Sequence, residues 1–272
     1  MSVTTAARRP PGAVFRVPDV RLGSAWHVWQ RNASIYRRTY KLNILPNFFE
    51  PLFFLLAMGF GLGAIVEDRI QGIPYLHFIA PGLVATAAMY GTSFEVTFNC
   101  FVKMKFGRIY DAAIATPLSI EDVGLGELLW GTTRSLIYGV VFLGIAAAFG
   151  VVHTWWVLLA PLAIALIGMM FSVIGLAFTA VIPVIDYFTY YWTLFMTPMF
   201  LFSGIFFPLD RLPDWVQGLA WIMPLHHAVN LMRALTLTGD LRAAALAALW
   251  IAVLTAALFV LPLNLLRRRL VR

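Results

Sequence analysis

Residues 75–94 read YLHFIAPGLVATAAMYGTSF, twenty positions without a Lys, Arg, Asp or Glu. At 1.5 Å per residue such a helix is about 30 Å long, which matches the hydrocarbon thickness of a bilayer. Five more apolar runs flank it, over residues 48–66, 135–152, 155–182, 188–207 and 243–266. The whole chain of 272 residues is 61% hydrophobic and 12% charged, with a mean hydropathy of +0.81. A soluble core has no room for that apolar excess, since soluble domains are nearer half apolar and a quarter charged. The pattern predicts an all-α integral membrane protein with six transmembrane helices. Residues 1–46 form a cytoplasmic N-terminal tail with an amphipathic interfacial helix, and residues 47–272 form the six-span transmembrane domain.

Charge sets the expected orientation. Lys and Arg number eight before the first run, three in the second loop (Lys103, Lys105, Arg108) and four in the tail, fifteen on one side. Arg69, Arg211, Arg233 and Arg242 lie on the other. Cytoplasmic loops carry the basic excess, so both termini are predicted to be cytoplasmic, and an even number of crossings agrees. The net charge of +7 is then assigned to anionic headgroups and orientation, with no nucleic-acid partner. The arginines and prolines between residues 8 and 21 leave no apolar run for a cleaved leader. The single Cys100 excludes an intrachain disulfide, and no Cys/His spacing suits a metal.

Three segments outside the spans carry pattern. Leu22, Trp26, Trp29, Ala33, Tyr36 and Tyr40 form an aromatic stripe at steps of four and three, with Arg31, Arg38 and Lys41 off it. That arrangement suits the membrane interface, or a helix packed on another protein. The stretch 208–239 is semi-polar and broken by Pro213, Trp215, Trp221 and Pro224; it predicts short helices dipping into the interface. The loop 99–121 holds a short helical pattern, with Phe106, Ile109, Tyr110 and Ala113 on one side and Lys105, Arg108 and Asp111 interspersed. Pro117 ends it, and Ser119 with Asp122 forms a start signal for the next helix.

No HExxH, GxSxG or P-loop motif occurs, so no catalytic residue and no nucleotide site is assigned to this chain. Intramembrane ionisable groups are the default functional candidates. Glu50, Glu95 and Arg134 all fall near the cytoplasmic ends of their runs, and Glu95 is placed to pair with Arg134 on a neighbouring helix, a reading preferred over proton coupling. Adjacent His226 and His227 point about 100° apart on a helix, a poor metal pair better explained by interfacial hydrogen bonds. Two hydroxyl stripes stand out: Thr86, Tyr90, Ser93 and Thr97 in the second run, and Thr189, Thr193 and Thr197, with Tyr190 beside them, in the fifth. Hydroxyls avoid lipid, so they face either another helix, as packing glue, or a route for a partly polar substrate. Both readings stay open.

From residue 26 to 272 the pattern resembles the membrane subunits of type-2 ABC exporters, the ABC-2 family. The likeness rests on FGRIYDAAIATPLSIEDVGLGELLWG (106–131) and SGIFFPLDRLPDWVQGLAWIMPLHHAVNLMRAL (203–235). YRRTYKLNILPNFFEPLFFLLAMGFGLG (36–63) looks closer still to the nodulation-factor export permeases, a branch associated with lipooligosaccharide export. The resemblance implies a cytoplasmic coupling helix at Lys105, Phe106, Arg108, Ile109, Tyr110, Asp111 and Ala113, and a re-entrant extracellular helical segment before the last span. It further implies a homodimer in the bacterial inner membrane with two copies of a cytosolic ABC ATPase, on which ATP and Mg would act, and an amphipathic substrate moved from the cytoplasm or inner leaflet. Six helices from one chain are few for a glycolipid path, which also favours two copies. The rival functions are a multidrug or antibiotic efflux permease of the same architecture, a proton-coupled carrier, and a non-transporting scaffold.

Overall fold

The computed structural model describes residues 20–62, 69–70 and 72–270; the side chain of Glu50 lies outside what is described. Almost all of it is helix. Helix α1 spans Leu22–Leu56 and runs on as a π-helical turn over Ala57–Leu62. The interfacial stretch and the first apolar run therefore belong to one helix whose backbone continues through residue 46. A two-residue antiparallel hairpin, β1 (Arg69–Ile70) with β2 (Ile73–Pro74), leads into α2, Tyr75–Phe94. A π turn at Glu95–Asn99 carries α2 into α3, Cys100–Lys105. The short α4 covers Ile109–Ile114, and α5 covers Ile120–Ala148.

Helix α5 starts fifteen residues before the apolar run read from the sequence at 135. A capping box fixes its start: Ser119 Oγ accepts from the Asp122 N–H at 3.0 Å, and Asp122 Oδ2 accepts from the Ser119 N–H at 3.1 Å, so two orphan donors of the first turn are satisfied. Asp122 Oδ1 also takes the Arg21 N–H at 2.7 Å, tying the start of α1 to the start of α5.

A 3-10 turn at Trp155–Leu159 opens α6, Ala160–Val181. Next come α7 (Phe188–Tyr190), a π segment (Tyr191–Met196) and α8 (Thr197–Phe202), one after another without a break. The stretch expected to hold short helices does so, as α9 (Asp214–Ile222) and α10 (Pro224–Arg233), the latter ending in a fourth π turn at Ala234–Thr238. Helix α11, Leu241–Leu258, is capped by Asp240, whose carboxylate accepts from the Arg242 and Ala243 N–H groups at 3.0 Å each. Helix α12 covers Val260–Leu270. Among the described residues, three helical stretches are long and apolar enough to cross a membrane: Ile120–Ala148, Trp155–Val181 and Leu241–Leu270.

Packing centres on α5, which touches α1, α2 and α6. Absent side chains permit that closeness. A Cβ on Gly126 would stand 2.5 Å from Val28 of α1, and one on Gly175 of α6 would stand 2.6 Å from Val96 below α2, contacts that no larger residue tolerates without moving a helix. The buried apolar side chains fall into two clusters. The larger joins α2, α5, α6, α10 and α11. The smaller gathers Val28, Val96, Phe101, Met104, Tyr110, Val123, Leu263 and Leu266 beside α4.

Candidate functional site

The junction of α1, α2–α3 and α5, just above α4, gathers five charges, of which Glu95, Glu127 and Arg134 are buried while Lys103 and Arg31 keep some contact with solvent. Glu127 is fully buried in α5. Its carboxylate takes Lys103 Nζ at 2.8 Å, Asn32 Nδ2 at 3.0 Å and Arg31 at 3.3 Å. Lys103 also reaches Glu95 at 3.1 Å, and Glu95 accepts from Asn99 at 2.7 Å. Arg134 closes the chain at 3.5 Å from Glu95, the pair expected from the sequence. Its guanidinium lies over the Tyr36 ring at 4.6 Å and the Tyr138 ring at 5.1 Å. Three cations thus face two carboxylates across three helices. A buried carboxylate is tolerable only with such partners. The sequence reading missed Glu127 and took Lys103 for a loop residue. The available signal was spacing, since Glu127 and Arg134 stand seven apart and share a face of α5.

Arg108 gives α4 its direction. It sits at φ 44°, in the left-handed region, immediately before the helix. The apolar side expected to meet a partner is divided. Phe106 is 70% exposed, whereas Tyr110 is 1% exposed and lies in the smaller core beside Cys100, Phe101 and Met104. Tyr110 therefore anchors α4 to its own chain instead of offering a contact. Lys105, Arg108 and Asp111 face outward, and Ile109 and Ala113 are half-buried.

The two hydroxyl stripes part in the same way. Thr86 and Thr97 are buried and donate to the carbonyls of Gly82 (2.9 Å) and Ser93 (2.6 Å), while buried Ser93 meets the Tyr191 hydroxyl at 3.3 Å. Thr189, Tyr190, Thr193 and Thr197 are exposed. Beside them rises a column of aromatic rings that the sequence reading did not assemble. Phe101 and Phe98 both pack on Phe188, with centroids at 5.7 and 4.9 Å. Phe98 stacks on Trp192 at 6.3 Å, and Trp192 meets Tyr90 at 5.6 Å. Tyr90 then meets Phe200 at 6.1 Å, and Phe200 meets Phe206 at 5.0 Å. Positions 90, 94, 98 and 101, and 188, 192 and 200, follow helical periodicity, so each half was available from the sequence; their meeting was not.

The aromatic Trp29 and Tyr36 of the α1 stripe pack on Trp130 of α5 at 6.4 and 5.7 Å, and Trp29 Nε1 donates to Thr133 at 2.8 Å. Part of that stripe is thus an internal seam, while Leu22, Trp26 and Tyr40 remain exposed. At the opposite end of the bundle, Arg233 of α10 donates to the carbonyls of Gly204 (2.7 Å), Phe78 (3.2 Å) and Ile205 (3.4 Å). Ring atoms of His226 and His227 bond the Ser203 and Trp221 carbonyls at 3.3 and 2.8 Å, the hydrogen-bonding role expected of them.

A family model described as ABC-2 type transporter matches residues 24–237. The chain belongs to the ABC-2 type transporter family and is an integral membrane permease of an ABC transporter. Nodulation protein J of Sinorhizobium fredii is 39% identical over 243 residues, 89% of this chain and 92% of that protein. Nodulation protein J of Rhizobium leguminosarum bv. viciae is 35% identical over 245 residues, 90% of this chain and 94% of that protein. The inner membrane transport permease YadH of Escherichia coli is 24% identical over 205 residues, covering 75% and 78%.

Proposed function

We propose that this permease is the membrane half of an ATP-driven exporter, two copies working with two copies of a cytosolic ATPase, and that its cargo is an amphipathic lipid-linked saccharide of the lipooligosaccharide kind. Six crossings per chain, with both termini in the cytoplasm of a bacterial inner membrane, complete the reading; the fifteen-to-four distribution of Lys and Arg supports it. The aromatic column with its exposed hydroxyl edge carries the assignment of cargo. The half-buried rings of Phe98, Trp192, Tyr90 and Phe200 accept the apolar faces of sugars and acyl chains, with buried Phe101 and Phe188 behind them. Tyr90, Thr189, Tyr190 and Thr193 supply donors and acceptors for polar edges, and Thr197 an acceptor because its proton goes to Trp192 O. Thr86, Ser93 and Thr97, buried as well as bonded within the chain, serve packing. Relatives named for nodulation fit the branch that residues 36–63 resemble, and the association of that branch with lipooligosaccharide export supports the same class of cargo.

ATP and Mg bind the partner ATPase. Its closure pushes on α4 through Phe106, Lys105, Arg108 and Asp111. Tyr110 passes that push into the core, and Lys103, one turn above Phe106, passes it to the charges joining α1 to α5. Each carboxylate of that cluster holds cationic partners, which supports a mechanical role over proton carriage. The test is reconstitution with a cognate ATPase in vesicles. ATP-dependent movement of a fluorescent lipid-linked oligosaccharide, absent with the sugar-free lipid, is expected; movement of hydrophobic drugs alone would overturn the assignment of cargo.

A further inference from the structure

The chain has five histidines, and three are occupied within the fold. His27 Nδ1 meets Gln30 at 3.2 Å. Both ring nitrogens of His226 are used, by Ser203 O at 3.3 Å and Asn230 at 2.9 Å. His227 bonds Trp221 O and stacks on Trp250 at 3.9 Å. The other two meet at the end of the bundle opposite α4. His77 belongs to the first turn of α2 and His153 to the α5–α6 loop; their ring centroids are 5.1 Å apart with planes at 55°.

His153 Nδ1 lies 2.8 Å from the Val151 carbonyl, which only accepts, so the ring's proton sits on Nδ1 and Nε2 presents a lone pair. That is the arrangement metal-binding imidazoles adopt. The His77 ring has no hydrogen-bond partner among the described residues. Two imidazoles on one tetrahedral ion, with metal–nitrogen distances of about 2.0–2.1 Å, hold their ring centres roughly 5 Å apart. His153 is exposed and His77 half-buried, so an ion can enter from solvent.

We propose that His77 and His153 form a two-imidazole clip for a divalent d-block cation, zinc foremost. No third Cys, His, Asp or Glu joins them among the described residues, so water fills the remaining positions and the ion exchanges. Two imidazole nitrogens and no carboxylate among the described residues select a d-block cation over calcium and magnesium, and Arg233, bound to the carbonyl of neighbouring Phe78, adds positive charge to the same turn that lowers the affinity for any cation. The loop bearing His153 is strapped to the turn after α10, by His153 N–H to Thr236 O at 2.8 Å and Thr154 Oγ1 to Leu235 O at 2.5 Å. A bound ion therefore fastens α2 to the α5–α6 loop and, through it, to the end of α10.

The test uses the purified full chain in detergent with zinc in competition against a chromophoric chelator. One zinc per chain with a Kd of roughly ten micromolar, as two ligands of a four-ligand site afford, is expected. His77→Gln and His153→Gln should each weaken it more than tenfold, and His27→Gln should not. Cobalt should give tetrahedral visible absorption in the native chain alone. Unchanged binding in either His77→Gln or His153→Gln overturns the clip. If a variant misfolds, zinc protection of both rings from diethyl pyrocarbonate in the native chain, read by mass spectrometry, decides instead: no protection overturns it. Neither readout needs the ATPase or the cargo, so failure here is separate from failure of the exporter reading.

Discussion

Replacing Glu127 by Gln removes the carboxylate on which Arg31, Asn32 and Lys103 converge. Breaking a fully buried pair costs about 3–5 kcal/mol. Three features reduce that. Lys103 keeps Glu95 at 3.1 Å, the Arg31 side chain is 32% exposed and can turn to water, and glutamine still accepts from Asn32. The expected loss is therefore about 2–3 kcal/mol, a factor of roughly 30–150 in the unfolding equilibrium. Lys103→Met should cost about as much, because it leaves Glu127 at 0% exposure with fewer partners. Removing both groups leaves neither orphaned, so the double variant should lose about 2–3 kcal/mol in total, with a coupling energy near 2 kcal/mol. Equilibrium unfolding in mixed micelles, followed by tryptophan fluorescence, measures all corners of the cycle. Losses that add to within about 0.5 kcal/mol would refute an interaction between Lys103 and Glu127 and, with it, the path from α4 into the bundle.

Tyr110→Ala should destabilise the chain by about 3–5 kcal/mol, as a large buried ring does, whereas Phe106→Ala should leave thermal stability unchanged and weaken ATPase pull-down by about tenfold; equal effects on stability would contradict the inward and outward placement. Arg108→Gly should raise unfolding stability by about 0.5–1 kcal/mol, the left-handed penalty relieved less the entropy of glycine, and a loss would deny the φ of 44°. Substituting Thr189, Thr193 and Thr197 together by Val should leave unfolding unaltered and slow vesicle transport; normal transport by the folded triple variant would remove them from the path.

Local rules were legible in the sequence where the chain answers only to itself. The bounds of α2 at residues 75 and 94, the box at Ser119 and Asp122, and the stop near Pro117 follow from hydropathy and capping. The pair Glu95–Arg134 followed from cost, because two opposite charges near one level of a bundle are cheaper together. The start of α5 did not, since hydropathy treats Glu127 as a reason to end a span, and only the arrival of Arg31, Asn32 and Lys103 from other helices makes it tolerable. Tyr110 was misjudged for a related reason: periodicity says which residues share a face of α4 and is silent on which neighbour covers each one. The aromatic column is a product of tertiary meeting, two periodic rows on separate segments that no local pattern joins.

Among the described residues, four π-helical segments interrupt the bundle, at Ala57–Leu62, Glu95–Asn99, Tyr191–Met196 and Ala234–Thr238. In mechanical terms each stores one residue of slack. Drawing such a turn into α geometry rotates everything beyond it by about 100° and slides it by about 1.5 Å, with little change in the number of backbone hydrogen bonds. The segment at Glu95–Asn99 separates α2 from α3 and α4, and the one at Tyr191–Met196 carries Trp192 in the aromatic column. If α4 is the element that the ATPase pushes, as proposed above, such slack would let a tug there turn the rings beside the hydroxyl edge by screw motion instead of bending.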